Sequence, residues 1–197
     1  MNSRNIKIAA IAGSVLAASF ASAGTYTFTP SNNDLSDLDH YSAYSWGIDF
    51  AVPQGQVITG AQITIKNIWD WTVENDDILY VTLMDNPGSG VKTFNDNQAT
   101  GNYFANSGKL IGTYTDPVGG HSTNTDKTFT LSTSDLSLLN QYAADGKFGF
   151  GFDPDCHYYN DGVKLTITTA AVPEPASFAI LGIGGIALLR RKKKNAA

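Results

Sequence analysis

The residues best suited to hold a cation lie close together in the last third of the chain. Asp153-Pro154-Asp155 is followed by Asn160-Asp161-Gly162. Calcium takes about six to eight oxygens, several from carboxylates and backbone carbonyls, and a loop between two strands can supply them. Asp76 and Asp77 can join from another loop, so the candidate calcium set is Asp153, Asp155, Asp161, Asp76 and Asp77. The spacing is not that of an EF-hand, and acidic turn formers in a hairpin loop need no metal. Cys156-His157 sits in the same segment. A thiol beside an imidazole can bind zinc or act as a nucleophile. One such pair does not complete a zinc site, no helper residue can be named, and a buried or incidental thiol is the plainer reading.

Aromatic side chains offer a second chemistry. Trp46, Tyr158 and Tyr159 are candidates to stack on pyranose rings. Trp69 and Trp71 share strand parity with Ile63 and Ile65 and read as core instead. Catalysis has little to stand on. Residues 24–171 hold one glutamate, Glu74, so a carboxylate pair would have to use aspartates, and no pair is singled out. His40, His121 and His157 are scattered, and no G-x-S-x-G elbow exists. The reading is non-enzymatic, with no catalytic residue assigned.

The elements that must position these groups are strands. Ile63 and Ile65 alternate with Thr64 and Lys66. Leu79, Val81 and Leu83 share a face. Phe148, Phe150 and Phe152 alternate with Gly149 and Gly151, and Val163, Leu165 and Ile167 alternate with Lys164, Thr166 and Thr168. Such period-two patterning means strands with one buried face. Weaker candidates lie near 25–29, 43–52, 109–115 and 127–132, for about eight strands in all. Turn signals separate them at Pro53-Gln54-Gly55, Asn86-Pro87-Gly88, Asp116-Pro117, Gly119-Gly120 and Asn160-Asp161-Gly162. One short helix is expected, capped by Ser134, with Leu136, Leu139 and Tyr142 as its apolar stripe and Gly146 near its stop. Residues 86–108 read as a long polar loop. The expected fold is all-β: an antiparallel β-sandwich, jelly-roll-like, with one short helix.

The body, residues 24–171, holds six lysines, no arginine and seventeen acidic residues, a net charge of −11. That excludes nucleic acid, whose binding needs basic side chains to displace counterions. It suits a soluble exported protein that can hold divalent cations. The apolar content of 42% excludes a disordered chain, and one cysteine excludes an intrachain disulfide framework.

Both ends read as addresses. Arg4 and Lys7 precede the apolar run Ile8 to Phe20, and Ala21-Ser22-Ala23 places small residues before a cut at Gly24. This is the layout of a secretory signal peptide spanning 1–23, with Ala21, Ala23 and Gly24 at its cleavage site. At the other end Pro173-Glu174-Pro175 should be extended, because each proline lacks an N–H and restricts the residue before it. Phe178 to Leu189 is wholly apolar or glycine, and Arg190, Arg191, Lys192, Lys193 and Lys194 follow. Twelve helical residues cover about 18 Å against a hydrocarbon core of about 30 Å. The apolar helix at 178–189 is therefore expected to touch the inner membrane transiently, with the cations kept cytoplasmic.

Pro173-Glu174-Pro175, the apolar run and the terminal Arg/Lys cluster resemble the PEP-CTERM sorting signal, here spanning 172–197. The resemblance implies a substrate of exosortase, a membrane enzyme that processes the tail. It also implies a Gram-negative host that makes exopolysaccharide and biofilm matrix. The expectation is an exported cell-surface or matrix protein with a structural or adhesive, non-catalytic sandwich. Its precursor would be held at the inner membrane, and exopolysaccharide is the natural further partner. The alternative is a carbohydrate-binding module with structural calcium.

Overall fold

The computed structural model describes residues 22–172 apart from 32, 33, 76 and 122–124. Its strands are β1 (Gly24–Phe28), β2 (Asp37–Leu38), β3 (Ser42–Asp49), β4 (Gln56–Asp70), β5 (Leu79–Met84), β6 (Gly90–Asn95), β7 (Gly108–Tyr114), β8 (Thr125–Thr130), β9 (Lys147–Pro154), β10 (Tyr158–Tyr159) and β11 (Val163–Ala171). One sheet runs β1-β11-β4-β10-β2, with β8 on the other edge of β4. The second runs β6-β3-β9-β5-β7. All pairings between these strands are antiparallel. The chain passes repeatedly from one sheet to the other, which gives the expected sandwich.

The core lies between the sheets. Phe148, Phe150 and Phe152 of β9 pack in one cluster with Ile63 and Ile65 of β4 and Leu165 and Ile167 of β11. These side chains are fully buried. The glycines between the phenylalanines face the other way, where loops cover the sheet. A Cβ on Gly151 would fall 2.5 Å from the Phe104 ring, so only glycine lets the loop at Phe104 close over β9.

Three strands beyond the eight expected account for the difference in count. β2 and β10 are two residues each, too short to show a period. β6 lies inside the segment read as a loop, because its single neighbour β3 imposes no clean alternation of apolar side chains. The helix α1 (Thr133–Tyr142) is capped by Ser132, not Ser134. The Ser132 hydroxyl accepts the Asp135 N–H at 3.3 Å, and the Asp135 carboxylate accepts the Ser132 N–H at 3.1 Å. Lys109 of β7 pairs with the same carboxylate at 2.9 Å.

The largest departure from the sequence pattern is in β4. Parity places Ile63 and Ile65 inward, and by extension Trp69 and Trp71. Instead the register against β8 shifts between Ile65 and Ile68, and Asn67 takes a left-handed φ of 47°. Asparagine tolerates that conformation where a β-branched residue would not. The bulge turns Ile68 and Asp70 into the interior and Trp69 and Trp71 outward. On the facing hairpin, Gly162 has φ 116°, and Cys156 and Tyr158 turn inward in step. The kink is held by hydrogen bonds from Asn67 N to Asp126 (3.0 Å), Asp161 N to Lys66 O (2.8 Å) and Lys66 N to Gly162 O (3.0 Å). Asn67→Val should therefore lose about 1–3 kcal/mol of unfolding free energy in urea titrations. Asn67→Gly, which keeps the backbone angle, should stay within about 1 kcal/mol of wild type.

Candidate functional site

The kink delivers Asp70 to the interior at the end of β4, where Tyr158 is its cross-strand neighbour. Asp77 enters from the loop that leads into β5, and Cys156 from the segment between β9 and β10. One donor atom from each of Asp70, Asp77 and Cys156 lies within 4.8 Å of the other two, and all three side chains are buried. Two more acids border them. Asp116 accepts the Asp70 N–H at 3.3 Å and the Val118 and Gly119 N–H groups at 3.2 and 3.3 Å. Glu74 Oε2 lies 3.8 Å from the Cys156 sulfur.

Hydrogen bonding leaves this centre unfinished. Asp77 accepts the Glu74 N–H at 2.7 Å through one oxygen. Its other oxygen, both oxygens of Asp70 and the Tyr158 hydroxyl have no hydrogen-bond partner. Buried polar groups normally find one. Burial, followed by the charges of Asp77, Asp116 and Glu74, pushes the Asp70 carboxyl up to about 7, opposed by the approach of the Thr72 backbone, which falls short of normal hydrogen-bond geometry. Burial and the surrounding acids push the Cys156 thiol and the Tyr158 hydroxyl up as well. A reactive thiolate needs an electropositive setting, so this one is not a nucleophile in waiting.

The four described aspartates among the five proposed for calcium do not meet at one point. Asp77 sits in the centre just described, and Asp76 lies outside the described residues. Asp161 is on the surface, accepting from the Asn67 side-chain amide. Asp153 and Asp155 lie against residues 96–107, where they accept the Tyr103 N–H at 2.6 Å and the Gly101 N–H at 3.1 Å. They pin that loop to the sheet. Burial pushes Asp153 up to about 7, with the Tyr103 amide opposing and Asp96 and Asp155 adding to the rise.

The aromatic candidates also redistribute. Trp46 is 4% exposed and Tyr158 is fully buried, so neither can present a ring to a sugar. The inward parity of β3 and the β10 side of the kink put them in the core. Tyr159 faces outward, within a continuous row. His121, Trp69, Tyr159, His157, His40 and Tyr41 follow one another with ring centroids 5.1, 4.7, 4.5, 6.0 and 5.0 Å apart. All three histidines of the chain are in it. His157 also pairs with the Asp37 carboxylate. At the Trp69 end the surface continues into Trp71, Val73 and Val118, which are 59, 54 and 63% exposed. The Val118–Gly119 turn packs against Thr72 and Val73, so these three residues share one corner.

Asp70 and Asp116 carried no site signal in the sequence, and strand parity set Trp69 and Trp71 aside as core. The available clue was an asparagine inside the run Ile63-Thr64-Ile65-Lys66-Asn67-Ile68, a residue at home in the left-handed region.

Fold and sequence together define an all-β exported body with sorting information at its C-terminus. Residues 171–194 match the family described as the PEP-CTERM protein-sorting motif, so the chain carries the signal that its tail resembled. The motif makes it a secreted protein sorted by exosortase, with a membrane-anchored precursor that this membrane enzyme processes. No curated protein matches the chain. Pro173, Glu174, Pro175, the 178–189 run, Arg190, Arg191 and Lys192 to Lys194 lie outside the described residues, as does Ala21. Among the described residues no helix is long and apolar enough to cross a membrane. Gly24, the residue after the expected signal-peptide cut, opens β1.

Burial raises three carboxyls, those of Asp70, Asp96 and Asp153, and together they set the pH dependence of stability. An unfolded aspartate titrates near 3.9, whereas Asp70 and Asp153 hold a proton to about 7 when folded. Between those values the folded state binds more protons, so stability is highest at the acidic end and falls as pH rises through about 7. Asp135 works in the opposite sense. Despite its burial, Ser132 and Lys109 hold its carboxyl low, so its contribution is lost only in stronger acid. In chelator-treated protein the thermal midpoint should fall between about pH 5 and about pH 8. Asp70→Asn should make that slope shallower and raise the midpoint at the alkaline end.

Proposed function

We propose that the sandwich is a non-catalytic structural or adhesive component of the extracellular matrix, delivered there by the sorting signal. Proteins with this signal are generally non-catalytic cargo. The supporting observation is the exposed aromatic and apolar corner of Trp71, Val73 and Val118, continuous with the ring row through Trp69 and Tyr159. Contiguous apolar surface on a secreted domain is a contact surface. The interior of the row is not free for a ligand, because Trp69 and His157 stack on either side of Tyr159 at interplanar angles of 29° and 24°. Trp71 offers the large open ring.

A second reading, carbohydrate binding, follows from the same corner. A pyranose presents a face of C–H groups that lies flat on an indole and needs no charge. The body's net charge of −11 favours neutral polysaccharide over an acidic one unless cations bridge the two. Trp71→Ala should weaken retention on an affinity gel of host exopolysaccharide by about tenfold, the effect of roughly 1.4 kcal/mol. The thermal midpoint should change little, since the ring is exposed. Unchanged retention would remove Trp71 from the contact surface.

The tail supplies the spatial part of the function. The apolar run holds the precursor at the inner membrane, the cations stay cytoplasmic, and Pro173-Glu174-Pro175 presents an extended site to the processing enzyme. Deleting residues 190–197 should release precursor to the periplasm or medium, read by fractionation and immunoblot. Unaltered localisation would overturn the role given to the basic cluster.

A further inference from the structure

We infer that Asp70, Asp77 and Cys156 form a buried site for a zinc-class transition-metal ion. Three observations converge on it. The three donor atoms lie within 4.8 Å of one another, a spacing that a small shift closes around one ion. Asp70 is fully buried with both oxygens unpartnered, and the free oxygen of Asp77 is unpartnered beside it. Every charged neighbour that acts on Asp70 among the described residues is an acid: Asp77, Asp116 and Glu74. A cluster of this kind is destabilising as it stands, because buried like charges lack both solvent and a counterion. A divalent cation supplies the missing charge and takes up the orphaned lone pairs together.

The donor set selects the ion. Calcium and magnesium take oxygen ligands, whereas this centre is built around a sulfur. Zinc accepts thiolate and carboxylate together in a four-coordinate shell. Glu74 Oε2, 3.8 Å from the sulfur at the solvent side and outside the 4.8 Å group, is the nearest further acid, and it or a water would complete the shell. Asp116 is committed to the Asp70, Val118 and Gly119 amides and serves as a support that orients the Asp70 backbone. The Gly120 N–H bonds the Asp70 carbonyl at 2.7 Å, tying the 116–120 turn over the site. Binding converts the Cys156 thiol to a thiolate. Its proton leaves to solvent, with any proton that Asp70 holds near neutral pH, and the metal keeps its oxidation state.

The site is independent of the sugar-contact reading, since it faces the interior and the ring row faces out. Its test uses the protein as exported, stripped with a chelator and titrated with cobalt(II) and with zinc(II). Cobalt should bind one per chain and give a near-ultraviolet sulfur-to-metal charge-transfer band. Zinc should raise the thermal midpoint by about 5–10 °C at roughly a hundredfold excess over Kd. Cys156→Ser should lose the band. Asp70→Asn should lose the zinc-induced shift while raising the midpoint of the metal-free protein, a crossed pair of effects that a purely structural aspartate would not give. The inference is overturned if wild-type protein shows no charge-transfer band. It is equally overturned if calcium reproduces the full zinc shift, or if the shift survives in Asp70→Asn.

Discussion

The kink at Asn67 is the constraint on which the rest of the molecule depends. A strand has a side-chain period of two, so one extra residue against a neighbour moves everything beyond it to the opposite face. Before Asn67, β4 is an ordinary sandwich strand with Ile63 and Ile65 inward. After it, an aspartate enters the core and two tryptophans leave it. The matching bend at Gly162 is what makes this tolerable. Because the hairpin strand turns over in the same place, Tyr158 and Cys156 line the interior beside Asp70, and Tyr159 meets Trp69 on the surface. Both candidate surfaces are thus consequences of a single local backbone event.

Two kinds of acid line this part of the fold. Asp153 and Asp155 are used as anchors, accepting amides from the loop that covers β9. Asp70 has no such assignment. It is placed by the kink and surrounded by acids, and neither of its oxygens reaches a donor in normal hydrogen-bond geometry. A fold can absorb an uncompensated carboxylate by protonating it or by binding a cation. Which occurs in this protein decides whether the region near β10 is a soft spot or a clamp joining β4, the loop before β5 and the segment after β9.

Sorting and body are separate modules with separate physics. The sorting tail, and the signal peptide expected at the N-terminus, are read from apolar length and terminal charge alone. The body acts through surface that exists only once the sheets have formed. It is strongly acidic, and Trp71, Val73 and Val118 gather exposed apolar surface at one corner.

What the sequence determined alone was everything governed by local pattern: export, the sorting tail, an all-β body, most strands and the core phenylalanines. Alternation, turn residues and apolar length are short-range properties, so one chain suffices to read them. Tertiary structure decided the site. The parity rule that correctly buried Ile63 and Ile65 misplaced Trp69 and Trp71, because a bulge is set by pairing with β8 and by the bend at Gly162. The loop that held the calcium candidates dispersed for a related reason. Its residues alternate in burial from the segment before β10 into β10 itself, so Cys156 and Tyr158 point into the protein while His157 and Tyr159 lie partly exposed. Which acids meet in the interior depends on contacts between residues as distant as Asp70 and Cys156, and no spacing along the chain encodes that.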